Sequence, residues 1–132
     1  MKSLSQNENI YKLTQKYRFE TQSVDETTIT NIYLTEVEYN YLESLEGRII
    51  TKKRYPYRVG NHNFSIDVFE GRHRGLILAE TEFEKKTEMD EFALPLFAFK
   101  DVTDHPFFTG GNLAVMTEEE FTQGLSQHLR GP

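Results

Sequence analysis

From Ile10 the chain alternates. Between 10 and 20 the odd positions are mostly apolar, with Tyr11, Leu13, Tyr17 and Phe19, while Lys12, Thr14, Lys16, Arg18 and Glu20 fill the even ones. Successive side chains of a strand point to opposite faces, so a period of two predicts a half-buried strand. Ser23–Glu26 reads as a polar turn. Thr27–Leu34, rich in Thr, Ile and Tyr, reads as a second strand. The period then lengthens. Thr35 followed by Glu38 is a capping box, Val37, Tyr41, Leu42 and Leu45 recur at helical spacing, and Gly47 offers a stop. Residues 1–9 are polar and read as a frayed, disordered terminus.

Arg48–Val59 is predicted as a third strand, with Pro56 confining its second half to an edge, bulge or strand end. Gly60-Asn61 is a turn, Phe64–Phe69 a fourth strand, Glu70–Gly75 a hairpin turn and Leu76–Glu84 a fifth strand. A short polar helix follows near Lys86–Phe92, interrupted by Pro95. Ala98–Thr103 suggests a short sixth strand, and Asp104–Gly111 a turn region. Thr117 with Glu120 is a second capping box, opening a terminal helix whose stripe is Phe121, Leu125 and Leu129. Long crossovers are absent, so the strands form an antiparallel sheet with two or three short helices, an α+β arrangement.

The charges on these strands change the picture. Lys16 and Arg18 share a parity, as do Lys52 and Arg54. Glu80, Glu82 and Glu84 share a third, and Asp67 sits between Ser65 and Phe69 on its own face. Two readings stay open. Charged rows are usually the solvated face of a half-exposed sheet. Alternatively a curled sheet turns them toward each other, basic rows holding polyphosphate oxygens and acidic rows holding divalent cations. Spacing does not choose between them.

Composition narrows the function classes. A chain of 132 residues is the size of a single domain, here 10–132 after the polar start. Ten Phe and seven Tyr argue for a packed core. Fifteen basic against 21 acidic residues disfavour a nucleic-acid partner, which needs a basic surface. No apolar run suits a membrane span or a signal peptide, so a cytoplasmic location without a membrane partner is expected. The absence of cysteine excludes thiol nucleophiles and Cys-ligated zinc. His62, His73, His105 and His128 are widely spaced and read as surface or turn residues. Gly71–Gly75 (GRHRG) reads as an exposed hairpin, and Glu118–Glu120 as a response to the helix dipole. There is no phosphate-binding loop and no nucleophile elbow.

Four segments then occur in order: Lys52-Lys53-Arg54-Tyr55, Asp67-Val68-Phe69, Ala79-Glu80-Thr81-Glu82 and Asp101-Val102-Thr103. In order and spacing they resemble the second half of a CYTH domain, the triphosphate tunnel metalloenzyme family of class IV adenylate cyclases, thiamine triphosphatases and inorganic triphosphatases. The resemblance spans about 11–114. It implies an antiparallel barrel open as a tunnel, here an incomplete one. It also implies that Lys52, Arg54 and, from Leu13-Thr14-Gln15-Lys16, Lys16 hold phosphate, while Glu80 and Glu82 hold Mg²⁺ or Mn²⁺. Asp67 and Arg18 are further possible site residues, and Tyr55 reads as packing.

The departures bear on activity. The family's opening E-x-E-x-K strand is missing; the literal match at Glu82, Glu84 and Lys86 falls at the wrong place and is coincidental. The arginine-bearing strand is also missing, and 27–31 is nearly uncharged. The chain is therefore expected to be a shortened CYTH-like domain that binds a triphosphate or another phosphorylated small molecule. Metal-dependent triphosphate hydrolysis, a non-catalytic binding module and adenylate cyclase chemistry are the alternatives. Open sheet edges further suggest a homodimer.

Overall fold

A computed structural model describes residues 2–7, 10–20 and 27–130. The chain divides into two compact units, residues 1–48 with 103–106, and 49–102 with 107–132.

The first unit is an antiparallel sheet in the order β1 (Lys2–Asn7), β2 (Ile10–Tyr17), β3 (Thr28–Leu34), followed by α1 (Glu36–Glu43). Residues 2–7, expected to fray, are thus a strand, pairing from Lys2 opposite Gln15 to Asn7 opposite Ile10. An outer strand is held by its backbone ladder and needs no apolar row of its own, so its polar sequence hid it. The predicted turn at Ser23–Glu26 lies outside the described residues. β2 ends at Tyr17, opposite Thr28, so Arg18 falls beyond the ladder and does not share a strand face with Lys16. Beyond that end the Tyr17 and Phe19 rings pack edge to face at 4.6 Å.

The capping box at α1 is formed on both sides: Glu38 N–H donates to the Thr35 hydroxyl at 3.2 Å and Thr35 N–H to the Glu38 carboxylate at 2.9 Å. The Thr35 N–H on that carboxylate, and after it the Thr35 hydroxyl, hold the Glu38 carboxyl below its usual range. Tyr39 on α1 packs on Tyr11 at 5.0 Å between ring centres. The helix stops at Ser44, before the predicted Gly47, because the Ser44 hydroxyl donates to the Tyr41 carbonyl at 2.6 Å and competes with the helical ladder.

The second unit carries β4 (Thr51–Val59), β5 (His62–Glu70) and β6 (Ile77–Glu80), antiparallel in that order, then α2 (Lys86–Glu91), α3 (Gly110–Val115) and α4 (Glu118–Arg130). Gly60, at φ 59°, and Asn61 make a two-residue hairpin loop closed by Val59 opposite His62; the positive φ suits glycine. β6 is shorter than its sequence suggests. Past Glu80 the Thr81 hydroxyl donates to the Asn63 carbonyl at 2.9 Å, where a backbone N–H would have continued the ladder. Residues 98–103 form no strand. Val102 packs against the helical core without a ladder partner, and Gly110–Val115, inside or beyond the predicted turn region, is helical.

That core is Phe69, Leu76, Phe108, Leu113 and Phe121, with Leu78 and Leu125 packed on it. The GRHRG segment is the expected hairpin connection, here from β5 to β6, but it is not exposed throughout: Gly71–His73 is a 3₁₀ turn whose last residue is buried. The Arg72 guanidinium donates to the Ala114 carbonyl. His73 is only 1% exposed, so it is a core residue and not a surface one. Its Nε2 lies 2.6 Å from the Leu113 carbonyl, which can only accept, so Nε2 carries the proton. Its ring meets Phe121 edge-on at 5.2 Å. The capping box at α4 is present, with Glu120 N–H on the Thr117 hydroxyl at 3.1 Å. At the other end Lys100 Nζ donates to the His128 carbonyl at 2.9 Å.

Candidate functional site

Residue parity builds the site. Arg54 stands opposite Asp67, Asp67 opposite Leu78, and Ser65 opposite Glu80. Opposed residues of an antiparallel ladder share a face. Lys52, Arg54, Ser65, Asp67, Phe69, Leu78 and Glu80 therefore line one side of the β4–β5–β6 sheet. At one end of that side Phe69 and Leu78 enter the helical core. At the other the charged residues begin.

Asp67 is the hinge between the two. It is 0% exposed, yet all its charge is met. Arg54 Nε donates to Oδ1 at 2.6 Å, and Arg54 Nη2 and Lys52 Nζ both donate to Oδ2 at 2.8 Å. The cations remain reachable from solvent, with side chains 37% exposed at Lys52 and 53% at Arg54. Burial pushes the Asp67 carboxyl up, but the hydrogen bonds and charges of Arg54 and Lys52 outweigh it and hold the group below the usual carboxylate range. The Asp67 hydrogen bond raises Arg54 in turn; desolvation opposes this, and the charges of Asp67 and Glu80 add to it. Lys52 Nζ also lies over the Phe69 ring, 5.4 Å from its centre.

Beyond Asp67 a cleft of about 360 Å³ opens, lined by Arg54, Ser65, Glu80 and Glu82 with Asn63, His62 and their neighbours. Arg54, Glu80 and Glu82 thus meet at one cleft, with Lys52 on the same sheet face. Glu82 and Glu84, however, lie past the end of β6, so the expected row of three glutamates on one strand face is corrected to Glu80 alone on the strand. Glu82 reaches the cleft from the following loop. Lys16 and Arg18 belong to the other unit. There Lys16 shares the parity of Thr14, a buried residue whose hydroxyl donates to Asn31 Oδ1 at 2.7 Å.

Sequence reasoning gave Asp67 no definite part. The signal was present in the hairpin: with Gly60-Asn61 as the loop, counting back six positions on each side sets Arg54 against Asp67. The cleft neighbours Asn63 and Thr81 carried no signal, since loop proximity is set by where β6 ends.

Among the described residues no group of three or more His, Cys, Asp or Glu side chains converges to hold a metal ion. The chemistry of the donors nevertheless fits one. Glu80 and Glu82 offer hard oxygen ligands, and Mg²⁺ is commonly held by one or two carboxylates with substrate phosphates and water completing its shell. No helix among the described residues is long and apolar enough to cross a membrane.

Solved structures that share this fold include two of one protein. One is described as the hypothetical protein NE1496 and the other as the inorganic triphosphatase NE1496. Each matches with a TM-score of 0.63 at 24% identity, over 86% of this chain and 74% or 71% of the other. NE1496 is a CYTH-family protein, and the present chain has a CYTH-like fold: α+β, with antiparallel sheets that do not close. No family model and no curated protein matches the sequence.

Proposed function

We propose that the protein binds a triphosphate or a similar phosphorylated small molecule together with Mg²⁺ or Mn²⁺, and that it hydrolyses triphosphate slowly. In this reading the two units form one CYTH-like domain. The observation that carries it is the meeting of Arg54, Glu80 and Glu82 at one cleft, with Lys52 on the same face. Arg54 and Lys52 hold phosphoryl oxygens, and Lys16 is a further phosphate ligand, with Arg18 a possible one. Glu80 and Glu82 would hold the divalent cation, which would supply neutralisation of the phosphate charge. Water attacks the terminal phosphorus as the bridging P–O bond breaks; pyrophosphate leaves with the bridging oxygen, the proton of the water passes to solvent, and Arg54 stabilises the charge that collects on the oxygens.

A second reading is favoured by Asp67. Two cations face three carboxylates here, and Asp67 already engages both cations. A clamp so neutralised suits a module that binds without turnover. Adenylate cyclase chemistry is the third reading; no residue of the cleft supports it specifically. The sheet edges also leave a homodimer in the proposal, which light scattering at micromolar concentration tests.

The deciding assay is phosphate release from tripolyphosphate with Mn²⁺. Loss of release in a Glu80→Ala/Glu82→Ala variant supports the enzyme. Binding without release supports the module, and no binding removes both.

A further inference from the structure

Arg54 at the cleft and Lys52 on the same sheet face are both already engaged by Asp67. Of the five N–H donors on the Arg54 guanidinium, Nε and one on Nη2 are spent on Asp67. Three remain; one on Nη1 and one on Nη2 form the outer edge away from Asp67, and the second on Nη1 points back along the side chain. Arg54 lines the cleft, whereas Asp67 is wholly buried and does not. Glu80 also acts on Arg54.

We infer that Asp67 is a positioning residue: buried between them on the same sheet face, it fixes Arg54 and Lys52, so that the outer edge of the guanidinium stands ready for a phosphoryl oxygen of the ligand. This rests on the proposed anion-binding reading of the cleft. Two effects of the carboxylate oppose each other. Its charge weakens the attraction of the site for an anion. Its two-pronged grip removes the disorder of a long side chain before the ligand arrives, which is worth on the order of tenfold in affinity. The geometry decides for the grip. Without Asp67, the remaining carboxylate acting on Arg54 is Glu80, which lines the cleft itself. Arg54 then turns its donors to Glu80 and loses the edge that would meet phosphate. Asp67 touches no ligand and acts only through the two cations.

The test is calorimetric titration of the full chain with tripolyphosphate in Mn²⁺. The proteins compared are the unaltered chain, Asp67→Asn, Arg54→Ala and the double variant. The expected result is a loss of about tenfold in Asp67→Asn that nearly vanishes in the Arg54→Ala background, because the residue works through Arg54. Equal or tighter binding by Asp67→Asn, or the same loss in both backgrounds, overturns the inference alone. No binding by the unaltered chain overturns the reading of the cleft and the inference with it. Should Asp67→Asn fail to fold, Arg54→Lys replaces it. That change keeps the charge but cannot offer a planar fork, so binding should fall nearly as far as in Arg54→Ala. Binding equal to the unaltered chain overturns the positioned-edge argument.

Discussion

The buried carboxylate and its two half-exposed cations should respond unequally to the loss of either side. Consider Asp67→Asn against the double change Lys52→Met/Arg54→Met. In the first, the stranded groups are cations with side chains 37% and 53% exposed, which water can reach. Hydration replaces most of the bonding lost by the cations, the new amide N–H meets only donors, and the cost should be about 1.5–3 kcal/mol. In the second, the stranded group is a carboxylate with no exposed surface. Removing the partner of a buried charge costs about 3–5 kcal/mol, because the ion is left without compensation. The two variants should also tilt oppositely with pH. In the unaltered chain the folded Asp67 value is depressed, so its stabilisation is present above the unfolded value of about 3.9 and is lost as pH falls further. In the double variant burial acts alone and raises the folded value. Its stability should be greatest below about pH 4 and should fall as pH rises through that raised value. Urea denaturation followed by circular dichroism between pH 3 and 7 measures both effects. Equal costs at pH 7, or a double variant that gains nothing on acidification, would show that Asp67 is not buried as described.

Three other outcomes follow from the packing. A Cβ at Gly124 would run into the ring of Phe107; overpacking of about 1–3 kcal/mol should outweigh the roughly 1 kcal/mol helix-propensity gain, so Gly124→Ala should lower the melting temperature. His73→Phe keeps a ring between Phe69 and Phe121 but leaves the Leu113 carbonyl unpaired, and chemical denaturation should show a loss of about 1–3 kcal/mol. Thr35→Ala removes the cap of α1 and should cost about 0.5–2 kcal/mol, read as faster amide exchange in residues 36–39.

Local chemistry was the most legible part of the sequence. Both capping boxes form because their partners lie three residues apart and need nothing else of the fold. The alternation in β2 and β5 and the face shared by Lys52 and Arg54 were equally readable, since parity is local. What depended on distant partners was not. The polar strand β1 is defined by its ladder with β2. The early end of β6 follows from a Thr81 side chain reaching Asn63 across the sheet, and with it the departure of Glu82 and Glu84 from the strand face. His73 reads as a turn residue until α3 and α4 fold over it. The site followed the same rule. Its basic and acidic residues stand out by type, but the buried position of Asp67 between the cations requires the hairpin register and the helices that cover Phe69.

The bonds made by Arg72 and His73 have a consequence for sequence drift. Both side chains hold backbone carbonyls, those of Ala114 and Leu113, and neither recognises what those residues carry. The grip is blind to identity on one side and strict on the other. Leu113, 1% exposed, is constrained separately by its place in the core, but Ala114 is only half-buried and answers to neither demand. In a library of random substitutions, position 114 should accept many residues that keep a helical backbone, while 72 and 73 accept almost none. The attachment of the terminal helices to the β5–β6 connection would then persist through changes that erase similarity along the helix it holds at every position but the core residue Leu113.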